Sequence, residues 1–347
     1  MMPRHILPAI VLAAVAVLAA CQGRTAEVRN SLADLDDSTF AYESYERLYF
    51  DNIMQGRFDG AAKTAVTAKL FLPPASSADP VPAVVLMHGS GGLGARERRY
   101  AAALNEIGFA AAALNSFGPR GVRTTGKRQE QVTSATMLGD VFALLDLLGT
   151  HPRIDGSRVA IVGFSKGGSV AMLSADERVS RSLTQGDRRF AAHVAFYPGC
   201  VIKLTRVEPT GAPLLVLLGA NDSYTPPAQC ERFMARMRTA DLPVESITYP
   251  HAHHGWDSDY PVRSSNFDYS YGKCEAEIDD DGRTIDGTTG AVVDSRDMAA
   301  VRAWIQACGV PGVTLGRNQA AKDRSLADMT AFLQDTLLKQ PYAAGSP

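Results

Sequence analysis

The stretch Arg158-Val159-Ala160-Ile161-Val162-Gly163-Phe164-Ser165-Lys166-Gly167-Gly168 limits most strongly what this chain can fold into. It opens as an unbroken apolar run of strand length, the mark of a strand buried on both faces of a parallel sheet. It closes in Gly163-x-Ser165-x-Gly167, and residues 168–175 continue as small and apolar side chains that read as a helix. Strand, sharp turn and helix around G-x-S-x-G form a nucleophile elbow. Glycines are required because side chains beside the serine would collide with the adjoining strand or helix. The serine hydroxyl is thereby pushed out above the sheet, at the positive end of a helix dipole. The short pattern also occurs by chance; its place between a buried strand and a helix gives it weight.

The rest of the chain repeats the same alternation. Strands are expected at 66–72, 81–87, 109–114, 190–196, 213–218 and 243–249, and helices at 96–107, 130–148, 226–239, 298–307 and 325–339. An opening antiparallel pair is read between 45 and 73, stopped by Pro73-Pro74. The last helix carries Leu326, Met329, Phe332, Leu333 and Leu337 on one face. Strands alternating with helices at this spacing predict an α/β class, with a doubly wound, mostly parallel sheet. The domain is expected over 41–340, with a tail at 341–347. A hydrophobic content of 46% over 347 residues suits one such domain and excludes disorder. A net charge of -2 offers no basic face for nucleic acid.

From 257 to 322 the alternation breaks, which marks an insertion. Asp279-Asp280-Asp281-Gly282 and Asp286-Gly287 read as tips of small hairpins. The acidic run lacks the glutamate that closes an EF-hand, so it is a solvated turn and not a calcium loop. The insertion starts beside a cluster of histidines and is expected to shape a pocket near them.

The N-terminus points to export. Arg4 and His5 precede an apolar run over 6–20, about 15 residues long. A membrane span needs about 20, so the run matches a secretory h-region. Leu18-Ala19-Ala20-Cys21 resembles the lipobox of bacterial lipoproteins, in which the peptide is cut before a cysteine that is then lipidated. The expectation is a signal peptide over 1–20, a lipid on Cys21, a polar tether over 21–40 and an envelope location. Gln22 after the cysteine favours the outer membrane, facing the periplasm. Four cysteines remain, an even number in an exported chain. They allow three pairings, with free buried thiols as the alternative; Cys200–Cys230 with Cys274–Cys308 is favoured, because Cys200 follows one sheet strand and Cys230 opens the helix after the next. Their spacings fit no zinc pattern, and neither a metal nor a cofactor is called for.

A serine hydroxyl needs a base to take its proton, and the base needs a carboxylate to fix its tautomer. On a sheet of this kind the partners follow in the order serine, acid, histidine. Asp222 stands just past the 213–218 strand, at the strand end where open α/β sheets place their sites. The base lies in Tyr249-Pro250-His251-Ala252-His253-His254-Gly255-Trp256, and spacing alone does not choose among the three histidines. His88 is read as ordering the loop after its strand, and His151 and His193 as structural. The oxyanion of a tetrahedral intermediate would meet the backbone amides of Lys166 and Ser90, with Gly89 the alternative to Ser90.

These motifs together resemble the dienelactone hydrolase family of α/β-hydrolases. The likeness is carried by His88-Gly89-Ser90-Gly91-Gly92, Ser116-Phe117-Gly118-Pro119-Arg120-Gly121, Gly163-Phe164-Ser165-Lys166-Gly167-Gly168, Tyr197-Pro198-Gly199-Cys200 and Gly219-Ala220-Asn221-Asp222, with the histidine segment. It spans about 60 to 256 and extends to the last helix. The family's Tyr-Pro-x-Ala-x-His-x-aromatic pattern puts the catalytic histidine on His254. The founding lactone hydrolases carry a cysteine nucleophile and a glutamate after the first-loop histidine; here these are Ser165 and Gly89. The resemblance therefore implies a serine hydrolase acting on carboxylic esters, lactones or thioesters through an acyl-enzyme, with a small-molecule substrate. Arg120 and Trp256 are candidates for substrate contact, and Arg120 has the alternative role of holding its own loop. The rival readings are a peptidase or amidase on the same fold, and a non-catalytic envelope binding protein.

Overall fold

The computed structural model describes residues 27–74 and 80–339. The expected signal segment, Cys21 and the tail at 341–347 lie outside the described residues. β1 (Thr39–Tyr45), α1 (Phe50–Met54) and β2 (Lys63–Phe71) open the domain. β3 (Val81–Met87), α2 (Ala95–Glu106), β4 (Ala110–Asn115), α3 (Ser134–Leu148) and β5 (Ile154–Phe164) follow. Then come α4 (Lys166–Leu173), α5 (Glu177–Leu183), β6 (Ala192–Phe196), β7 (Ile202–Leu204), β8 (Leu214–Gly219), α6 (Pro227–Thr239) and β9 (Val244–Tyr249). The C-terminal part holds β10 (Arg263–Ser270), β11 (Ala276–Ile278), β12 (Thr284–Asp286), β13 (Val292–Val293), α7 (Met298–Cys308), β14 (Val310–Leu315) and α8 (Gln319–Lys339).

The main sheet runs β1-β2-β4-β3-β5-β6-β8-β9. β1 pairs antiparallel with β2, and β2 with β4; each later neighbour pair is parallel. The alternation of side chains along each strand divides the core in two. Val85 and Met87 face a layer built by α3, α4 and α6, while Val84 and Leu86 face α2 and α8. Helices on both faces explain why the inner strands read as continuous apolar runs. On α8, Met329, Leu333 and Leu337 are buried against that second face, as the expected stripe requires.

Several boundaries differ from the sequence reading. Residues 27–40 are no free tether where they are described: Leu32 and Phe40 are buried, Leu32 N donates to Thr150 Oγ1 at 2.8 Å, and β1 already starts at Thr39. The charges of this segment mask a spaced apolar set that packs inward. The helix expected from 130 begins only at Ser134, because Thr133 caps it, its Oγ1 accepting from Thr136 N at 3.0 Å. The insertion closes by Asn318 rather than at 322, since α8 starts at Gln319 and Asn318 N donates to Trp256 O at 2.9 Å.

Within the insertion, β11, β12 and β13 form an antiparallel set that joins β7 of the main domain in parallel. β10 pairs with β14 across a bulge. The acidic stretch is the turn between β11 and β12, and Asp286-Gly287 starts the turn to β13. Two disulfides close Cys200 to Cys230 and Cys274 to Cys308, the pairs expected. The second ties the end of α7 to the approach to β11.

Candidate active site

The parallel strands deliver the candidate groups to one edge of the sheet, at their carboxyl ends. Ser165 follows β5 directly and caps α4 with φ +54°, a backbone region that L-residues rarely occupy. A Cβ on Gly163 would run into the backbone of Gly167, so the turn admits only glycine there. Gly89 lies across from the elbow: its Cβ would stand 2.9 Å from Phe164 O and 3.1 Å from the Ser165 Cβ. A glutamate at 89 would have to displace the elbow itself.

Asp222 is reached three residues beyond β8 and His254 five beyond β9. His254 Nε2 lies 2.9 Å from Ser165 Oγ, and His254 Nδ1 lies 2.8 Å from Asp222 Oδ2. The other carboxylate oxygen, Oδ1, accepts the backbone amides of Tyr224 at 2.9 Å and Thr225 at 2.8 Å. The aspartate is thus locked by its own loop with one oxygen left for the imidazole. All three side chains are buried or nearly so. His251 is exposed, with φ +58°, and His253 Nδ1 sits 3.0 Å from Asn221 O, so neither ring joins the cluster. Among the described residues no group of His, Cys, Asp and Glu is placed to hold a metal ion.

The sequence reading missed several supporting residues. Thr225 Oγ1 lies 3.0 Å from His254 Nδ1 and donates to Asp222 Oδ2 at 3.1 Å, bridging the two. Tyr197 and Tyr224 clamp the imidazole edge-on, each with ring centroids at 4.8 Å. Tyr197 Oη donates to Asp257 Oδ1 at 2.6 Å, and Arg96 Nε lies 3.0 Å from Asp257 Oδ2. The insertion also holds the histidine loop, since Gly316 N donates to His254 O at 3.0 Å. Thr225 stood in the quoted Asp222 loop, but a hydroxyl three residues after an acid reads equally as a turn residue.

Ser90 and Lys166 both face the cavity beside Ser165. Ser90 is anchored through its carbonyl, which accepts Thr125 N at 2.8 Å, and its hydroxyl is engaged with Gln129. The Lys166 ammonium turns away from the serine and donates to the carbonyls of Gln129 at 2.8 Å and Val132 at 2.5 Å. Burial pulls its proton affinity down to a pKa of about 7, against the opposing charge of Glu130.

Neither Arg120 nor Trp256, the candidates for substrate contact, is among the residues lining the cavity. The Arg120 fork is spent inside the domain: Nη1 and Nη2 meet Asp140 Oδ2 and Oδ1 at 2.8 and 2.9 Å, Nη1 also donates to Ser116 O, Nη2 to Tyr45 O and Nε to Glu46 O. Its side chain is 3% exposed. Trp256 is fully buried and its Nε1 donates to Ser325 Oγ on α8 at 3.1 Å. Both hold elements together.

Two further histidines define a pH dependence. His88 Nδ1 lies 2.8 Å from Gly89 O, so it carries the proton, and Nε2 accepts Ser116 N at 3.2 Å. His193 lies in the core beside Ser174. Burial lowers the pKa of His88 to about 4 and of His193 to about 3. Both folded values lie below the ordinary 6.5, so the unfolded chain takes up protons first as pH falls. Stability is whole above about pH 6.5 and is lost as pH falls through 4 towards 3. At about 1.4 kcal/mol per tenfold change in proton affinity, His88 alone accounts for about 3 kcal/mol. Urea unfolding is expected to show a much lower midpoint at pH 4.5 than at pH 7, and His193→Leu a shallower decline; equal midpoints at the two pH values would contradict the neutral assignment.

The site sits against a cavity of about 190 Å³, walled partly by the main domain and partly by the insertion. Comparison with known proteins then places the chain. It is 27% identical over 152 residues to the non-reducing polyketide synthase pkbA of Emericella nidulans, covering 42% of this chain and 6% of that protein's length. Among solved structures, m3DLH aligns at 19% identity over 86% of this chain and 99% of that one, with a TM-score of 0.50, so the two share the α/β-hydrolase fold. A dienelactone hydrolase-like promiscuous phosphotriesterase from metagenomic libraries aligns at 19% identity with the same coverages and a TM-score of 0.46. The dienelactone hydrolase family model matches residues 66–279, well over half of the sequence, and the chain belongs to the dienelactone hydrolase family.

Proposed function

We propose that this protein is a serine hydrolase that cleaves carboxylic esters through an acyl-enzyme. One observation carries the reading: the unbroken chain Ser165 Oγ–His254 Nε2 at 2.9 Å and His254 Nδ1–Asp222 Oδ2 at 2.8 Å, facing a cavity. In this reading Ser165 Oγ attacks the ester carbonyl while His254 Nε2 takes its proton. Asp222 holds the ring with Nδ1 protonated and steadies the imidazolium. The amides of Lys166 and Ser90 receive the oxyanion. The tetrahedral adduct collapses, the C–O bond to the leaving alcohol breaks, and His254 returns the proton to that oxygen. Water, deprotonated by His254, then hydrolyses the acyl-serine and restores the enzyme.

Purified protein is expected to hydrolyse p-nitrophenyl acetate and to leave the matching p-nitroanilide nearly untouched. Asp222→Asn is expected to lower kcat by about 10³- to 10⁴-fold, because an amide in its place can stabilise the wrong imidazole tautomer. Preferential cleavage of the anilide would favour an amidase or peptidase, and full activity in Asp222→Asn would remove the triad.

The same proposal places the mature protein at the cell envelope, anchored through a lipidated Cys21. The two disulfides support an oxidising compartment. In bacterial cells making the full chain, Cys21→Ser is expected to move the protein from the membrane to the soluble fraction. An unchanged membrane fraction would overturn the anchor.

A further inference from the structure

We infer that the cavity beside Ser165 is a binding site for an uncharged alkyl chain of about six carbons on the ester, measured by the insertion helix α7. The inference rests on the serine hydrolase reading and specifies its substrate class. Its basis is who lines the cavity. At the Ser165 end stand polar groups, Ser90, Gln129, Tyr224 and Thr225. The rest of the wall is mainly hydrocarbon, with Phe50, Val201 and Ile202 from the main domain and Ile278 from β11, and with the hydroxyl residues Thr284 and Ser295 among them. Val301, Trp304 and Ile305 on α7 add to this wall. The Trp304 indole N–H is already satisfied, donating to Asp286 Oδ2 at 3.0 Å, so the ring offers the cavity apolar surface.

Charge points the same way. Among the described residues the lining includes a single cationic one, Lys166, and its ammonium is committed to two main-chain carbonyls. The one acidic lining residue, Glu130, is buried and paired with Arg302 of α7 at 3.2 Å. A substrate carboxylate entering this space would find no free cation and would meet a carboxylate, at the cost of its own hydration. An alkyl chain meets walls that are mainly hydrocarbon. A cavity of about 150 Å³ takes up a six-carbon ring, so one of about 190 Å³ has room for an alkyl group of about six carbons.

α7 is a fixed wall rather than a loose flap. Its last residue, Cys308, is bonded to Cys274 just before β11, and Arg302 ties its middle to Glu130. Trp304 and Ile305 lie between these ties, and Val301 is next to Arg302. Length discrimination therefore follows from a held helix, and residues on it should set where discrimination stops.

The test is kcat/KM of the purified mature protein over two series. One varies the acyl chain of p-nitrophenyl esters from acetate to decanoate. The other varies the alcohol of alkyl acetates over the same lengths. In one series kcat/KM is expected to rise about threefold to fourfold per methylene up to about six carbons and then to fall. The mono-p-nitrophenyl ester of adipic acid, with its free carboxylate, is expected to react at least about tenfold more slowly than the hexanoate. Val301→Trp and Ile305→Trp are each expected to lower the hexanoate-to-acetate ratio by at least about tenfold. Val301→Ala is expected to move the optimum to a longer chain. The ratio is taken within one sample, so partial unfolding of a variant cancels from it. Acetate cleavage that is lost in Ser165→Ala, with both series flat, would overturn the chain site and leave the hydrolase standing. Faster cleavage of the adipate than of the hexanoate would also overturn it. Cleavage of no ester of any length would overturn both readings.

Discussion

Replacing Ser165 by alanine is expected to lower ester turnover by about 10⁴-fold or more while leaving the fold intact. The size of the loss follows from the geometry. No other hydroxyl among the described residues is hydrogen-bonded to His254 Nε2; Ser169, one turn along α4, is bonded to Gly199 O at 2.7 Å. The intact fold follows from the backbone. Alanine keeps the Cβ, so the strain at φ +54° is unchanged, and only an oxygen at the rim of a cavity is lost. Ser165→Gly makes the strain itself measurable. It removes the hydroxyl and the Cβ together, and should be inactive but more stable than Ser165→Ala by about 1 kcal/mol. Turnover is read with a p-nitrophenyl ester and stability by urea unfolding. Residual activity above about one hundredth in Ser165→Ala would point to a different nucleophile. Equal stability of the two variants would mean that the elbow stores no strain.

The largest effect on stability is expected at Arg120. Arg120→Ala should destabilise the protein by about 3–5 kcal/mol, because it leaves the Asp140 carboxylate buried and without its ion partner. Asp140 is fully buried, and its remaining contacts are hydroxyls, from Ser44 and Ser116. The arginine joins three separate pieces: the end of β1 through Tyr45 and Glu46, the turn after β4 through Ser116, and α3 through Asp140. Arg120→Lys should recover only part of the loss, since an ammonium cannot reproduce the two-pronged contact. The double variant Arg120→Met with Asp140→Leu should cost less than either single change, because it removes both buried charges together. Denaturant midpoints for the singles and the double decide the matter. Additive single effects would show that the pair is not coupled, and a loss below about 1 kcal/mol in Arg120→Ala would contradict its burial.

Arg120 also shows where reading along a chain stops. Its partner is on α3, twenty positions on, and nothing local to Ser116–Gly121 says that the guanidinium turns inward instead of toward a substrate. Trp256 is the same case: its neighbours in sequence are the histidines, but its neighbour in space is Ser325 on α8. The elbow was legible because its demands are local. A buried strand, a positive-φ serine and glycines without room for a Cβ all lie within a dozen positions. Asp222 was legible from its place after a strand, since parallel strands deliver their ends to one edge. His254 was not separable from His251 and His253 by spacing. The family resemblance selected it, and the structure distinguishes the three by the contacts of each ring. Residues 27–40 were misread because local charge density hides a spaced apolar set, and only packing reveals that Leu32 and Leu35 point inward. The insertion's role in walling the cavity was expected from its start beside His254. Its internal strands were not, because β7 of the main domain supplies the partner on which β11 depends.

The most direct test is to find where a covalent intermediate forms. The protein is treated with a fluorophosphonate, digested, and the adduct located by mass spectrometry. One adduct per chain is predicted, on the peptide carrying Ser165, with labelling strongly suppressed in His254→Ala. A modified serine elsewhere with Ser165 untouched, or no adduct in an intact, folded sample, would contradict the account.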